Sequence, residues 1–311
     1  MAKVLKKLND VDRTEWLQLR RLGIGGSDVG AIAGLSKFKT ALDVYLDKVG
    51  ESFEADPPEW IYWGNVLEEV VAREFCLRTG MKVKKRNAIF VHQDYNFMLA
   101  NVDREVVGEN AGLECKTTNA YNGATWEEGI PESYELQCHH YMMVMGYDRM
   151  YIACLIGGNK FIYHTIERNQ NIIDHLVKLE SDFWNDCVLA KKPPRISNTE
   201  CATGESLLKA YPNAVNEFIS FSDSEDFKID RLLELKQTKN QISKEIEAIE
   251  TDLKQTIGDK SGALSGKYKV LWGNSISKRI DTDRLKTEKP EIYKSYLKES
   301  NSRRFSVKEI Q

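Results

Sequence analysis

Apolar positions change their period twice along the chain. Between Asp12 and Leu22 the residues Trp16, Leu19 and Leu22 recur at helical spacing. A glycine-rich turn, Gly23-Ile24-Gly25-Gly26-Ser27-Asp28, follows, and Ser27 is a fitting N-cap for a small-residue helix over Val29–Leu35. Thr40–Val49 reads as another helix. Pro57 and Pro58 punctuate, and Glu59–Arg78 is a longer amphipathic helix closed by Gly80, with Trp63, Leu67, Val70, Val71 and Phe75 marking one face. Everything up to about residue 80 therefore reads as helical. From 81 to about 195 the period falls toward two. Val83–Val91, Phe97–Val107 and Gly112–Thr117 read as strands. Ser133–Met145 is helical and ends at Gly146. Met150–Ile156 and Lys160–Ile166 form a hairpin around Gly157-Gly158-Asn159. Asn171–Leu189 is a helix stopped by Lys192-Pro193-Pro194-Arg195. Helices, three strands, a helix, two strands and a helix predict an α/β layer on a mixed sheet.

After about 200 the texture changes. Leu235, Ile242, Ile246, Ile249, Leu253 and Ile257 recur at three- and four-residue steps within a Lys/Glu-rich stretch. This predicts a long helix over 226–257, either a projecting arm or a helix lying on the body. Gly258 and Gly262 break it. Lys267–Lys278 alternates as a strand or hairpin, Asp283–Leu297 is helical and Arg303–Val307 reads as a terminal strand. The expected organisation is a core over 1–200 and a C-terminal extension over 201–311, a long helix followed by a small basic α/β unit.

Composition narrows the class. With 311 residues, 41% of them hydrophobic, the chain can bury roughly three quarters of its unfolded surface without disulfide staples. No apolar run approaches the ~20 residues of a membrane span, and the N-terminal stretch lacks the apolar segment of a secretory signal. Six Trp, thirteen Tyr and eleven Phe exclude wholesale disorder. Cys76, Cys115, Cys138, Cys154, Cys187 and Cys201 form no C-x-x-C pair, which argues against a zinc ribbon and for reduced thiols in a cytoplasmic protein. The net charge of −3 is unevenly spread: Asp259–Gln311 holds thirteen Lys+Arg and seven Asp+Glu, a net of +6. An acidic body with a basic tail fits a carboxylate-built metal site in a protein that meets DNA through local basic patches.

The chemistry sits in the middle stretch. Asp103 is followed about ten residues later by Glu114-Cys115-Lys116. If the two segments are neighbouring strands, their ends bring two carboxylates together, with Glu114 and Lys116 on one face and Cys115 on the other. Paired carboxylates bind a hard cation such as Mg²⁺. A lysine beside them can orient or deprotonate a water and offset charge on a phosphoryl transition state. The same Glu-x-Lys is also the pattern of a cross-strand ion pair.

Further motifs separate these readings. Trp63-Gly64-Asn65-Val66-Leu67-Glu68 precedes the strands, Tyr134-Glu135-Leu136-Gln137 follows them, and Trp16-Leu17-Gln18-Leu19-Arg20 runs into Gly25-Gly26-Ser27-Asp28. In this order the motifs resemble the YqaJ viral recombinase family and its relative, the phage lambda exonuclease, within the PD-(D/E)XK nucleases. The resemblance covers roughly residues 12–195. It departs from the family at Cys138-His139, where a second glutamine is common, and at Val102, where a proline often precedes the aspartate.

The resemblance implies a PD-(D/E)XK restriction-endonuclease-like core with a mixed central sheet flanked by helices. It implies a Mg²⁺-dependent 5′-to-3′ exonuclease of the two-metal type, with Mn²⁺ as a substitute, acting on double-stranded DNA ends. The product would be 3′ single strands for a phage single-strand annealing protein. Asp103, Glu114, the Cys115 carbonyl and Glu68 would hold metal. Lys116 would orient the attacking water, and Gln137 would help place the Glu/Lys pair or the DNA backbone. Arg20 and Ser27 would hold a 5′-phosphate, flanked by Trp16. A ring-shaped homo-oligomer, a trimer, and a phage or prophage origin in a bacterial cytoplasm are implied as well. A PD-(D/E)XK endonuclease and a non-catalytic DNA-end or annealing-protein adaptor are the alternatives. The basic tail is expected to dock DNA or the annealing partner, outside the catalytic core.

Overall fold

Local signals in the sequence set most of the helix ends. The computed structural model describes residues 2–51, 58–196, 204–278, 280–297 and 303–307; Pro57, Cys201 and the boundary expected at 200/201 lie outside them. In chain order the elements are β1 (Lys3–Lys7), α1 (Arg13–Arg21), β2 (Ile24–Gly25), α2 (Gly26–Ile32), α3 (Ala41–Lys48), α4 (Glu59–Thr79), β3 (Val83–Lys84), β4 (Ala88–Val91), β5 (Met98–Ala100), β6 (Arg104–Val106), β7 (Ala111–Thr118), α5 (Gly123–Glu128), α6 (Glu132–Met145), β8 (Arg149–Ile156), β9 (Lys160–Glu167), α7 (Gln170–Phe183) and α8 (Gly204–Ala210). Asp12 caps α1 by accepting from the Glu15 N–H at 2.8 Å, and Thr40 caps α3 with Asp43 answering it. Gly80 and Gly146, at φ 73° and 75°, end α4 and α6 in the left-handed conformation that glycine adopts without penalty.

The strands form two sheets. One has the order β1-β4-β5-β2; the other, five-stranded, has the order β3-β6-β7-β8-β9. In the second sheet only β7 and β8 run parallel, with Glu114 opposite Ile152, and helices cover both faces. Leu113 and Ala111 of β7 pack with Val71, Ala72 and Phe75 of α4. Met150, Ile152 and Cys154 of β8 pack with Cys138 and Met142 of α6. This is the α/β class with a mixed, helix-flanked sheet that the sequence predicts.

Three expectations for the first 200 residues are corrected. Val83–Val91 and Phe97–Val107 are each not one strand but two, and each gives one strand to each sheet. A period of two looks the same when the chain changes sheets, so the pattern hides the break. The passage over 101–103 leaves Asp103 at the mouth of β6, beside β7. The N-terminal region is not all helical, because Lys3–Lys7 pairs antiparallel with β4. Ser27 is not the N-cap of α2, which begins at Gly26 with Gly25, two residues before Ser27, in the cap position, its N–H donating to Asp28 Oδ2 at 3.1 Å.

The chain divides into two units, Met1–Pro212 and Asn213–Gln311. The second holds α9 (Asp223–Ile257), a hairpin of β10 (Gly262–Leu264) and β11 (Lys269–Leu271), then α10 (Thr282–Glu288) and α11 (Pro290–Ser295). Ser222 begins α9 with a capping box completed by Glu225. Residues 303–307 form no strand, against the terminal strand expected there.

Candidate active site

The β6–β7 pairing, Arg104 opposite Leu113, sets Asp103 next to the Glu114 end of β7. The Cys115 N–H donates to Asp103 Oδ2 at 2.8 Å. Glu114 is 3% exposed, and its Oε1 accepts from Lys116 Nζ and from Gln137 Nε2, each at 2.7 Å. Lys116 Nζ also donates to Gln137 Oε1 at 3.1 Å and lies 4.8 Å from the centre of the Tyr134 ring. Gln137 Nε2 further donates to Tyr141 Oη at 3.1 Å. Glu114, Lys116 and Gln137 thus close a three-membered polar network between β7 and α6, with Asp103 at its edge.

The electrostatics follow from crowding. Burial, then the charges of Glu114 and Glu68, push the Asp103 carboxyl well above the ordinary carboxylate range, against the pull of Lys116 and the Cys115 N–H. Burial alone would lower Lys116, but Glu114 and Asp103 outweigh it and hold the amine firmly as ammonium. The second oxygen of Glu114 is buried with no partner among the described residues. A buried carboxylate oxygen without a donor beside a carboxyl crowded by like charges is what a hard cation relieves. Asp103 and Glu114 therefore fit a divalent metal, although among the described residues no three His, Cys, Asp or Glu side chains already form a cage.

Glu68 is held differently. Arg104 Nη1 donates to Glu68 Oε1 at 2.5 Å and to the Asp103 carbonyl at 2.7 Å, while its Nη2 reaches Glu69 Oε2 at 2.7 Å. Both glutamates thus share one buried guanidinium, and Glu69 is much the more exposed of the two. Arg104 escapes sequence reasoning because alternation sends it to the opposite face from Asp103. Tyr141 was within reach of that reasoning, standing one helical turn after Gln137.

A second cluster assembles where α1 meets α2. Arg20 Nη2 donates to Ser27 Oγ at 2.8 Å, and its guanidinium carbon lies 4.9 Å from the Trp16 ring centre. Asp28, buried beneath, is approached by Lys39 Nζ at 2.6 Å, Lys48 Nζ at 2.8 Å and Arg20 Nη2 at 3.5 Å. Burial would raise Asp28, but Lys39, Lys48 and Arg20 together hold it well below the ordinary range. Lys48 is fully buried and also lies 3.7 Å from Asp47, so the accessible positive charge beside the Ser27 hydroxyl comes from Arg20 and Lys39. Lys39 and Lys48 gave no sequence signal, since only tertiary folding brings them to Asp28. The two clusters share a wall: a Cβ on Gly26 would meet the Tyr141 ring at 2.7 Å and Gln137 Cγ at 3.0 Å, so only glycine lets α2 lie this close to α6.

His139, the departure from the family pattern, is buried on α6 with Nδ1 unpartnered among the described residues. Its neighbour His140 bridges Glu180 Oε1 and the Leu99 carbonyl, each at 2.8 Å.

Residues 15–148 match the YqaJ-like viral recombinase domain. The chain is 42% identical over 314 residues to the uncharacterized protein YqaJ of Bacillus subtilis (strain 168), covering 99% of this chain and 98% of that one. Among solved structures it is similar to an alkaline exonuclease from Laribacter hongkongensis, at 18% identity and a TM-score of 0.49, over 58% of this chain and 94% of that one. It is also similar to a phage related exonuclease from Haemophilus somnus 129PT, at 13% identity and a TM-score of 0.45, over 57% and 99% of the two chains.

Proposed function

The chain belongs to the YqaJ-like viral recombinase family, and from that premise we propose that it is a metal-dependent exonuclease degrading one strand of linear duplex DNA, 5′ to 3′, from its ends. The observation that carries the proposal is the network of Glu114, Lys116 and Gln137 beside the crowded carboxyl of Asp103. Asp103 and Glu114 would hold Mg²⁺ or Mn²⁺, with the Cys115 carbonyl completing the site and Glu68 joining once Arg104 releases it. When bound, such a cation supplies the positive charge that polarises the scissile phosphate.

The protein's own groups do the rest. Lys116, kept protonated by its carboxylate neighbours, orients a nucleophilic water and offsets charge developing on the phosphoryl oxygens; an ammonium cannot act as the base. Gln137 fixes Lys116 and Glu114 relative to each other, and Tyr141 fixes Gln137. Arg20 and Ser27, with Lys39 behind them, supply donors and charge for a terminal phosphate, and Trp16 flanks the guanidinium. A terminal phosphate carries more charge and one more oxygen than an internal one, so this cluster favours an end. The same proposal includes 3′ single-stranded tails as product, a phage single-strand annealing protein as partner, a ring-shaped homo-oligomer and a bacterial cytoplasmic setting.

The test is a time course on linear duplex carrying 5′-phosphate or 5′-hydroxyl ends, in Mg²⁺ or EDTA, beside a covalently closed circle. Loss of linear duplex in Mg²⁺ alone, with the circle intact, is expected. Cutting of the circle would make the enzyme an endonuclease, and no hydrolysis of either would make it an adaptor.

A further inference from the structure

The helix α9 is 35 residues long, or ~52 Å at 1.5 Å per residue. Leu235, Ile242, Ile246, Ile249 and Leu253 all lie along it between 45% and 56% exposed. With Leu232 they recur at alternating steps of three and four, with Lys239 filling the one polar place in the series. A mean spacing of 3.5 residues makes a narrow seam that stays in register only against another helix. A helix resting on a globular body shows a broader apolar face.

The flanking charges identify the occupant. Set parallel to a second copy of itself, α9 would place Lys239 against Lys239, Arg231 against Lys236 and Glu245 against Glu250, all like-charged. Set antiparallel, with Ile242 against Ile246 of the second copy, it places Lys239 against Ile249, where the alkyl stem covers the seam and the ammonium reaches water. Lys236 then meets Glu250 of the second copy, and two-fold symmetry makes this contact twice. The single like-charged contact is Glu245 with itself at the axis.

We infer that α9 is a self-complementary docking surface through which two copies of this chain pair antiparallel. The pairing is independent of the nuclease reading and doubles whatever assembly the rest of the chain forms.

Sedimentation equilibrium on the full chain over a concentration series tests it. The wild-type mass is expected to be an even multiple of the monomer. Ile242→Asp with Ile249→Asp, both at solvent-exposed positions, should halve that mass while helicity by circular dichroism is kept. Lys236→Glu alone should weaken the association roughly tenfold, through two lost and two repelling contacts. Lys236→Glu combined with Glu250→Lys should restore it. A mass unmoved by the Asp pair, or a full chain that is monomeric at every concentration, overturns the pairing and leaves the seam to the helix of a different protein. A charge swap that fails to restore association overturns the antiparallel register.

Discussion

Lys116 is held as a cation, and under the proposed function this fixes what its loss should do. Its amine is held protonated by Glu114 and Asp103 against the pull of burial, so Lys116→Ala removes an orienting donor and a positive charge, not a base. We expect kcat on linear duplex to fall on the order of a hundred- to a thousandfold, as for other preorganised donors, with KM little changed. Asp103→Asn should act on the metal instead. Mg²⁺ should raise the wild-type melting temperature by several degrees, by binding only the folded chain, and should leave Asp103→Asn unmoved in the same thermal scan. A Lys116→Ala enzyme of near wild-type rate would remove this network from the chemistry. Arg20 carries a separate prediction. Charge-assisted hydrogen bonds contribute ~1.5–3 kcal/mol, and the Arg20 side chain is 29% exposed, so the low end applies. Wild type should prefer 5′-phosphate over 5′-hydroxyl ends by roughly tenfold in initial rate, and Arg20→Ala should lose most of that ratio. Lysine at this position should restore it in part, because it lacks the planar fork. An unchanged ratio in Arg20→Ala would leave the residue a partner of Ser27 and nothing more.

The helix α6 joins the two clusters and rests on a buried ion pair. Both ring nitrogens of His140 face acceptors, the Glu180 carboxylate and the Leu99 carbonyl, and only the doubly protonated ring can donate to both. Burial would lower His140, but Glu180 and the Leu99 carbonyl raise it above its ordinary 6.5. A group raised on folding contributes stability that is complete below its unfolded value and lost as pH climbs through the folded one. Wild type should therefore lose stability from about pH 6.5 upward relative to His140→Gln, which cannot titrate. Melting temperatures of the two proteins between about pH 6 and pH 9 check this, and parallel curves would show a neutral imidazole. How much of this was legible in the sequence depends on range. Helices α3, α4 and α6 and the β8–β9 hairpin are written locally, in caps, glycine stops and period. The break of each long β segment between two sheets is not, since alternation carries no information about which sheet a strand joins. The residue types of Asp103, Glu114, Lys116 and Gln137 could be named from motif order. Arg104 across Glu68 and Glu69, and Lys39 and Lys48 around Asp28, could not, because each contact joins segments distant in sequence.

At the scale of the whole chain, charge and packing divide the labour. The hydrophobic clusters that carry both candidate sites lie within Met1–Pro212, so a chain ending at Pro212 keeps every residue of the Glu114 and Arg20 networks and their supporting core. What it loses is α9 and the segment Asp259–Gln311, with its net charge of +6 in a protein of net −3. Duplex DNA binds in proportion to the counterions a protein displaces, and each neutralised phosphate steepens the fall of log affinity with log salt by about 0.9. If the tail docks DNA, truncation should raise KM for linear duplex and flatten the salt dependence by several such increments, while kcat at saturating DNA stays within about twofold of the full chain. If the tail serves only to hold copies or a protein partner together, the truncated chain should show the salt slope of the full chain and a smaller mass. Measuring KM at ~50 and ~200 mM salt for both proteins separates the two. An unchanged slope would end the docking role of the basic tail and would leave the DNA contacts of the proposed nuclease to Arg20 and Lys39 beside Asp28, both within the first unit.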